Sequence, residues 1–253
     1  MVSDDTARRL DVLGCPVVPL SANALLARLE RIASVGPFSH VVTLNPEYVM
    51  LARRDPAFRE AISRAEMVVA DGVGVSLATR LLHGVSVERL PGVEIMEALV
   101  AMSGRCQAPV YLLGGSAGTV DRVIERLGGH YPDARIAGGE SRWTPSENDD
   151  AASIAAIRES GARVVLVAYG APGQVTWIER NRSRLEAAGV RLAVGVGGAF
   201  DFHAGRVPRA PRVLRQLGLE WLYRLVRQPW RWRRQLALPA YVWLVLRERW
   251  TRH

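Results

Sequence analysis

The sequence predicts an α/β fold: a mostly parallel sheet with helices on both faces, followed by a basic helical appendage. Three observations carry this. Short runs rich in Val and Leu alternate with longer helical-looking segments. Each run is nearly all apolar rather than alternating, which fits strands covered on both faces. Charge changes abruptly near residue 203.

Strands are predicted at 40–44, 67–70, 110–113, 134–137, 164–168 and 191–196, each bounded by Gly, Pro or polar residues. Helices fill the intervals at 47–64, 73–82, 93–103, 117–127, 145–160 and 172–188. The last two start with Pro in the first turn, where its missing N–H costs nothing. Strand and helix alternating with right-handed crossovers give a Rossmann-like sheet. Asp149 and Asp150 fall near a helix start, where acids favour the dipole, and read as structural.

The 253 residues, 49% hydrophobic and 23% charged, suit one large domain or a domain with an appendage. All 33 basic residues are Arg, which excludes a Lys Schiff base and a P-loop lysine. The net charge of +8 is unevenly spread. Residues 203–253 hold 12 Arg against two acids, whereas the first 202 residues hold 21 Arg and 23 acids. The division expected is therefore a body at 1–204 and an Arg/Trp-rich appendage at 205–253, which carries five of the seven Trp. Two Cys and five scattered His form neither a disulfide scaffold nor a metal motif, so no metal and no cofactor are expected. The N-terminus shows no apolar signal-peptide core, and a cytoplasmic location is expected. The longest apolar run, residues 236–246, contains Pro239 and is too short to span a bilayer.

Ligands in parallel sheets bind beyond the carboxyl ends of the strands. Those ends here carry Thr43-Leu44-Asn45, Asp71-Gly72, Gly114-Gly115, Gly170-Ala171-Pro172-Gly173-Gln174, and Gly195-Val196-Gly197-Gly198 running to Asp201. Glycines there either make tight turns or let backbone N–H groups approach a phosphate. Four such loops on one edge favour a nucleotide-like ligand. The GGSAG run at 114–118 does not fit a dinucleotide fingerprint. Asp71 follows an apolar strand. Desolvation there suits a general base, although Asp before Gly-Val-Gly also suits a helix N-cap. Thr43 and Asn45 face the same choice between capping and ligand contact.

Several motifs occur together: Thr43-x-Asn45-x-Glu47, Ala70-Asp71-Gly72-x-Gly74, Arg89-x-x-Gly92-x-Glu94, Gly170-Ala171-Pro172-x-Gln174-x-x-Trp177, Gly195 to Phe202, Arg209-Ala210-Pro211 and Gly218 to Leu225. In order and spacing, over residues 12–235, they resemble the WecG/TagA/CpsF family of bacterial glycosyltransferases (glycosyltransferase family 26). The resemblance implies a metal-independent, inverting transfer of a sugar from a UDP-sugar to a polyprenyl-diphosphate-linked saccharide. It makes Asp71 the catalytic base. Thr43, counted with the catalytic residues, would line the sugar and diphosphate site with Asn45 and Gln174, Arg89 would bind substrate, and Gly197, Gly198 and Asp201 would lie on the nucleoside side. Arg224, Arg231 and Arg234 of the appendage would complete the site. It further implies peripheral attachment to an anionic membrane surface, at the cytoplasmic face of the inner membrane, and self-association into a homo-oligomer. Departures at Gly173, Val175, Glu94 and Gln228 leave the donor open between an N-acetylmannosamine-type sugar and glucose or another hexose.

The tail supports a membrane role on physical grounds. Arg224, Arg227, Arg231 and Arg234 are spaced as one cationic stripe, interrupted by Pro229, and lie close to Trp221, Trp230, Trp232 and Trp243. Arg with Trp beside apolar sequence suits a water–lipid boundary. A solvated basic face, a nucleic-acid-binding protein and a non-catalytic membrane scaffold are the alternatives. Nucleic acid is not the expected partner, because the basic excess alternates with Leu and Val.

Overall fold

The computed structural model describes residues 9–142, 146–216, 218–229, 232 and 236–252. Its centre is a six-stranded parallel sheet. The strands are β3 (Ser39–Leu44), β4 (Met67–Ala70), β5 (Val110–Gly114), β6 (Ile136–Glu140), β7 (Val164–Ala168) and β8 (Leu192–Gly195). Their spatial order is β4-β3-β8-β7-β5-β6. A hairpin of β1 (Leu10–Val12) and β2 (Cys15–Val17) precedes them.

The apolar strand runs have a direct cause. Successive side chains of a strand point to opposite faces. In β7, Val164 and Leu166 enter one core while Val165 and Val167 enter another. In β4, Met67 and Val69 take the first face, Val68 and Ala70 the opposite one. Helices α1 (Ala22–Val35), α5 (Gly92–Met102) and α6 (Thr119–His130) cover the first face. The other face is covered by α2 (Pro46–Ala52), α3 (Pro56–Arg64), α4 (Val73–His83), α7 (Glu147–Glu159), α8 (Gly173–Arg180) and α9 (Arg182–Ala187). The chain closes with α10 (Ala199–His203), α11 (Arg212–Gln216), α12 (Glu220–Arg227) and α13 (Ala237–Thr251). Tyr241 and Val245 of α13 are buried in the same core as residues of α2 and α4. Among the described residues, no helix is long and apolar enough to cross a membrane.

The structure adds to the predicted elements and redraws some of them. The hairpin and α1 lie before the first predicted strand. The three-residue strands of the hairpin are too short to show a period. Its turn, Leu13-Gly14, has φ of 54° and 90°, as a two-residue primed turn requires. The helix predicted at 47–64 is two helices, because Asp55 Oδ1 caps α3 by accepting from Phe58 N at 3.0 Å. The helix predicted at 172–188 breaks at Asn181, whose buried amide donates to Asp150 and to the Trp177 carbonyl. The edge strand predicted at 134–137 lies at Ile136–Glu140. Its Gly138-Gly139 disguises it, since Gly disfavours strands. A Cβ at Gly139 would come within 2.6 Å of the Leu112 carbonyl oxygen, so a close approach dictates that glycine.

Asp149 and Asp150 do lie in the first turns of α7. Asp150 turns inward and is 2% exposed. It accepts hydrogen bonds from Trp177 Nε1, Arg180 Nε and Asn181 Nδ2 at 2.8–2.9 Å. Desolvation would raise its pKa, but the bonds from Arg180 and Asn181 hold it below the usual carboxylate value.

Candidate active site

The carboxyl ends of β3, β4, β7 and β8 open into one cleft of about 1610 Å³. Thr43, Asn45, Asp71, Arg89, Gln174, Gly197, Gly198, Asp201 and Arg224 all line it. The structure therefore brings together every predicted site residue that it describes. Arg231 and Arg234 lie outside the described residues.

Thr43, 5% exposed, donates from Oγ1 to the Gly195 carbonyl at 2.9 Å and ties β3 to the end of β8. Asn45 caps α2, its Oδ1 accepting from Tyr48 N at 3.1 Å. Its side chain also hydrogen-bonds Asp71. Asp71 does not cap α4. Gly72 holds that position without a side-chain bond. Asp71 Oδ1 instead accepts from the Gly92 N–H at 2.9 Å, at the first residue of α5.

Desolvation pushes the Asp71 carboxyl up to about 6. Bonds from Gly92 and Asn45 oppose the rise, the charge of Glu220 adds to it, and Arg224 opposes it. An acid poised near neutrality in a cleft can accept a proton from a bound hydroxyl.

Gln174 is 1% exposed and fixes three segments at once. Its Oε1 accepts from Gly170 N at 3.1 Å and from Gly197 N at 2.9 Å, while Nε2 donates to Tyr48 Oη at 2.8 Å. Its amide thus shapes the two glycine loops. The Arg224 guanidinium packs against Gly198, where a Cβ would lie 2.6 Å from Arg224 Nη2 and displace it. Arg89 donates to the Arg215 carbonyl and so joins the cleft to α11. Asp201, in the first turn of α10, lines the cleft with its backbone carbonyl accepting from Arg206 and Val207.

The predicted cationic stripe is divided by the end of α12 at Gln228. The Arg224 guanidinium lies against Gly198, 4.7 Å from the Phe202 ring centroid. Arg227 is exposed and stacks on Tyr223 at 5.5 Å.

Other cleft residues escaped the sequence reading. Tyr48 has no signal beyond being a Tyr in the first turn after a strand. Glu220 lies within the Gly218 to Leu225 motif. Its Oε1 lies 3.9 Å from Arg209 Nε, and Arg209 also pairs with Glu94 at 2.9 Å and Glu97 at 3.4 Å. Glu94, which departs from the family motif, is thus held by Arg209-Ala210-Pro211. Arg206 lines the cleft and donates to Ser116 Oγ and, at 3.2 Å, to the Ala117 carbonyl. Leu238, Pro239, Val242, Trp243 and Leu246 of α13, with Trp221, form an apolar wall.

A protein of Bacillus subtilis (strain 168), named N-acetylglucosaminyldiphosphoundecaprenol N-acetyl-beta-D-mannosaminyltransferase, is 31% identical over 208 residues, 82% of this chain and 79% of its own. A protein of the same name from Bacillus spizizenii is 33% identical over 207 residues, 82% of this chain and 78% of its own. The sequence profile of the glycosyl transferase WecG/TagA/CpsF family matches residues 10–253. With the profile spanning residues 10–253 and each relative covering 82% of the chain, the protein belongs to the WecG/TagA/CpsF family of glycosyltransferases.

Proposed function

We propose that this glycosyltransferase moves an N-acetylmannosamine-type sugar from a UDP-sugar to a polyprenyl-diphosphate-linked N-acetylglucosamine. The names of the two relatives support this choice over glucose or another hexose. The observation that carries it is the pairing, in one cleft, of a desolvated carboxylate with arginines. Asp71 takes the proton from the acceptor hydroxyl as its oxygen attacks the anomeric carbon. The bond from that carbon to the UDP oxygen breaks, and UDP departs with the electron pair. Attack opposite the leaving group inverts the anomeric carbon.

Charge then grows on the diphosphate. Arg224 and Arg89, with Arg231 and Arg234 of the appendage, offset it. Thr43, Asn45 and Gln174 hold the sugar and diphosphate side. Gly197, Gly198 and Asp201 take the nucleoside side. In this reading residues 1–204 bind the nucleotide sugar, and 205–253 complete the site and meet the membrane.

The protein acts as a peripheral enzyme on the cytoplasmic face of the plasma membrane. Exposed Arg227, Trp232 and Trp243 suit an anionic surface, where each cation contributes about 1 kcal/mol. The decisive experiment offers a panel of UDP-sugars and polyprenyl-diphosphate-N-acetylglucosamine to the full chain, with EDTA present. Transfer to the lipid is expected, fastest from UDP-N-acetylmannosamine. No transfer from any donor overturns the reading. Flotation with anionic liposomes should weaken with salt and with Arg227→Gln/Arg231→Gln, and insensitivity to both would refute the surface contact.

A further inference from the structure

The cleft has two chemically different parts. One set of lining residues is charged, with Asp71, Arg89 and Arg224, whereas α13 contributes only apolar ones. Leu238, Val242 and Leu246 of α13 recur every four residues. At that spacing they stack on one helix face over about 12 Å. Trp243 joins them in lining the wall.

Among the described residues, this row is not the face by which α13 packs on the body. A different face of α13 does that job. Tyr241 and Val245 are each 3% exposed in the core, and Tyr241 Oη donates to the Gly74 carbonyl at 3.1 Å. The helix is thus anchored so that Val242, 53% exposed, and Leu246, 43% exposed, border open cleft space. Apolar side chains arranged along a cleft gain stability when an apolar ligand covers them. A sugar nucleotide brings no such part. A diphosphate carrying a hydrocarbon chain brings both: its head matches the arginines and its chain matches the wall.

We propose that Leu238, Val242 and Leu246 form a subsite for the first isoprene units of the acceptor, so that the enzyme recognises the chain as well as the head. The proposal rests on the acceptor class given under Proposed function. It differs from attachment to a bilayer, which would draw on any exposed apolar side chain. Val226 of α12 is more exposed, at 73%, and does not line the cleft, so it separates the two.

The test needs no lipid surface. The full chain is assayed with the panel of UDP-sugars and two soluble acceptors, each below its micelle concentration. One is N-acetylglucosamine diphosphate bearing a three-isoprene chain, the other its methyl ester. Wild type should favour the isoprenyl acceptor in kcat/KM by about tenfold or more. Val242→Ser/Leu246→Ser should bring that ratio below about threefold. UDP binding, measured calorimetrically, should stay intact and report a folded cleft. Val226→Ser should keep the wild-type ratio. A wild-type ratio near one overturns the subsite, as does an unchanged ratio in the double variant or an equal loss in Val226→Ser. No transfer to either acceptor from any donor overturns the activity and the subsite with it.

Discussion

The carboxylate of Asp71 accepts the backbone N–H of Gly92 at 2.9 Å, joining the end of β4 to the start of α5 across 21 residues. This bond separates two readings of Asp71 that are equivalent in sequence. Gly72 occupies the cap of α4, and the acid faces the cleft. One carboxylate oxygen is thereby fixed, which orients the group for proton transfer.

Asp71→Asn keeps an oxygen for Gly92 and loses only the basic carboxylate. UDP affinity should persist, while turnover falls by about 10²–10⁴-fold. Calorimetry with UDP and steady-state kinetics on the same preparation measure both. Turnover near wild type would remove Asp71 as the base.

The pH dependence has a definite sign. The base must be ionised, so kcat/KM should rise with pH and level off above about 6. Removing the nearby charge with Glu220→Gln should shift that inflection to lower pH. Stability runs the opposite way. Folded Asp71 holds its proton more tightly than its ordinary value of 3.8, so its contribution is full below that value and is lost as pH rises through about 6. Urea midpoints from pH 4 to 7 should show a steeper decline in wild type than in Asp71→Asn.

Gln174→Ala strands the Gly170 and Gly197 N–H groups and removes the bond to the Tyr48 hydroxyl. Leaving buried polar groups unpaired costs about 1–3 kcal/mol each. Denaturant unfolding should show a loss of that order or more. KM for the donor should rise with it, because the Gly197 loop loses its anchor.

Gly198→Ala tests Arg224 without touching it. The added Cβ meets the mobile end of that side chain at 2.6 Å, so the fold should tolerate it while the guanidinium moves. Turnover should fall about tenfold or more with melting temperature nearly unchanged. Arg224→Lys should not restore activity, since an ammonium cannot supply the planar two-pronged contact.

Asp150→Ala should separate stability from catalysis. The variant leaves Trp177, Arg180 and Asn181 without their shared acceptor. Arg180 is reached by solvent, but the Trp177 and Asn181 donors are buried, and leaving such a group unpaired costs about 1–3 kcal/mol. Activity per folded molecule should match wild type, since Asp150 lies outside the cleft lining.

The sheet was legible in sequence because burial on both faces leaves a local mark: an unbroken apolar run between polar or glycine boundaries. Five of its strands appear near their predicted places, and the edge strand was displaced by Gly138-Gly139. Helix ends were less legible. At Asp55 and Asn181 an apolar period continues past the point where a side-chain bond breaks the helix.

By itself, then, the sequence determined the layered sheet, the strand ends that carry polar residues, and the concentration of Arg and Trp in the tail. Tertiary structure decided which of those groups meet. Thr43 reaches Gly195 across 152 residues, and Gln174 reaches Tyr48 across 126. It also decided that Arg224 enters the cleft while Arg227 stays exposed, and that one row of α13 faces the cleft while the adjacent Tyr241 and Val245 enter the core. The physical reason is range. Strand burial is written in the spacing of neighbouring residues, whereas site membership depends on crossovers that bring distant strand ends to one edge of the sheet.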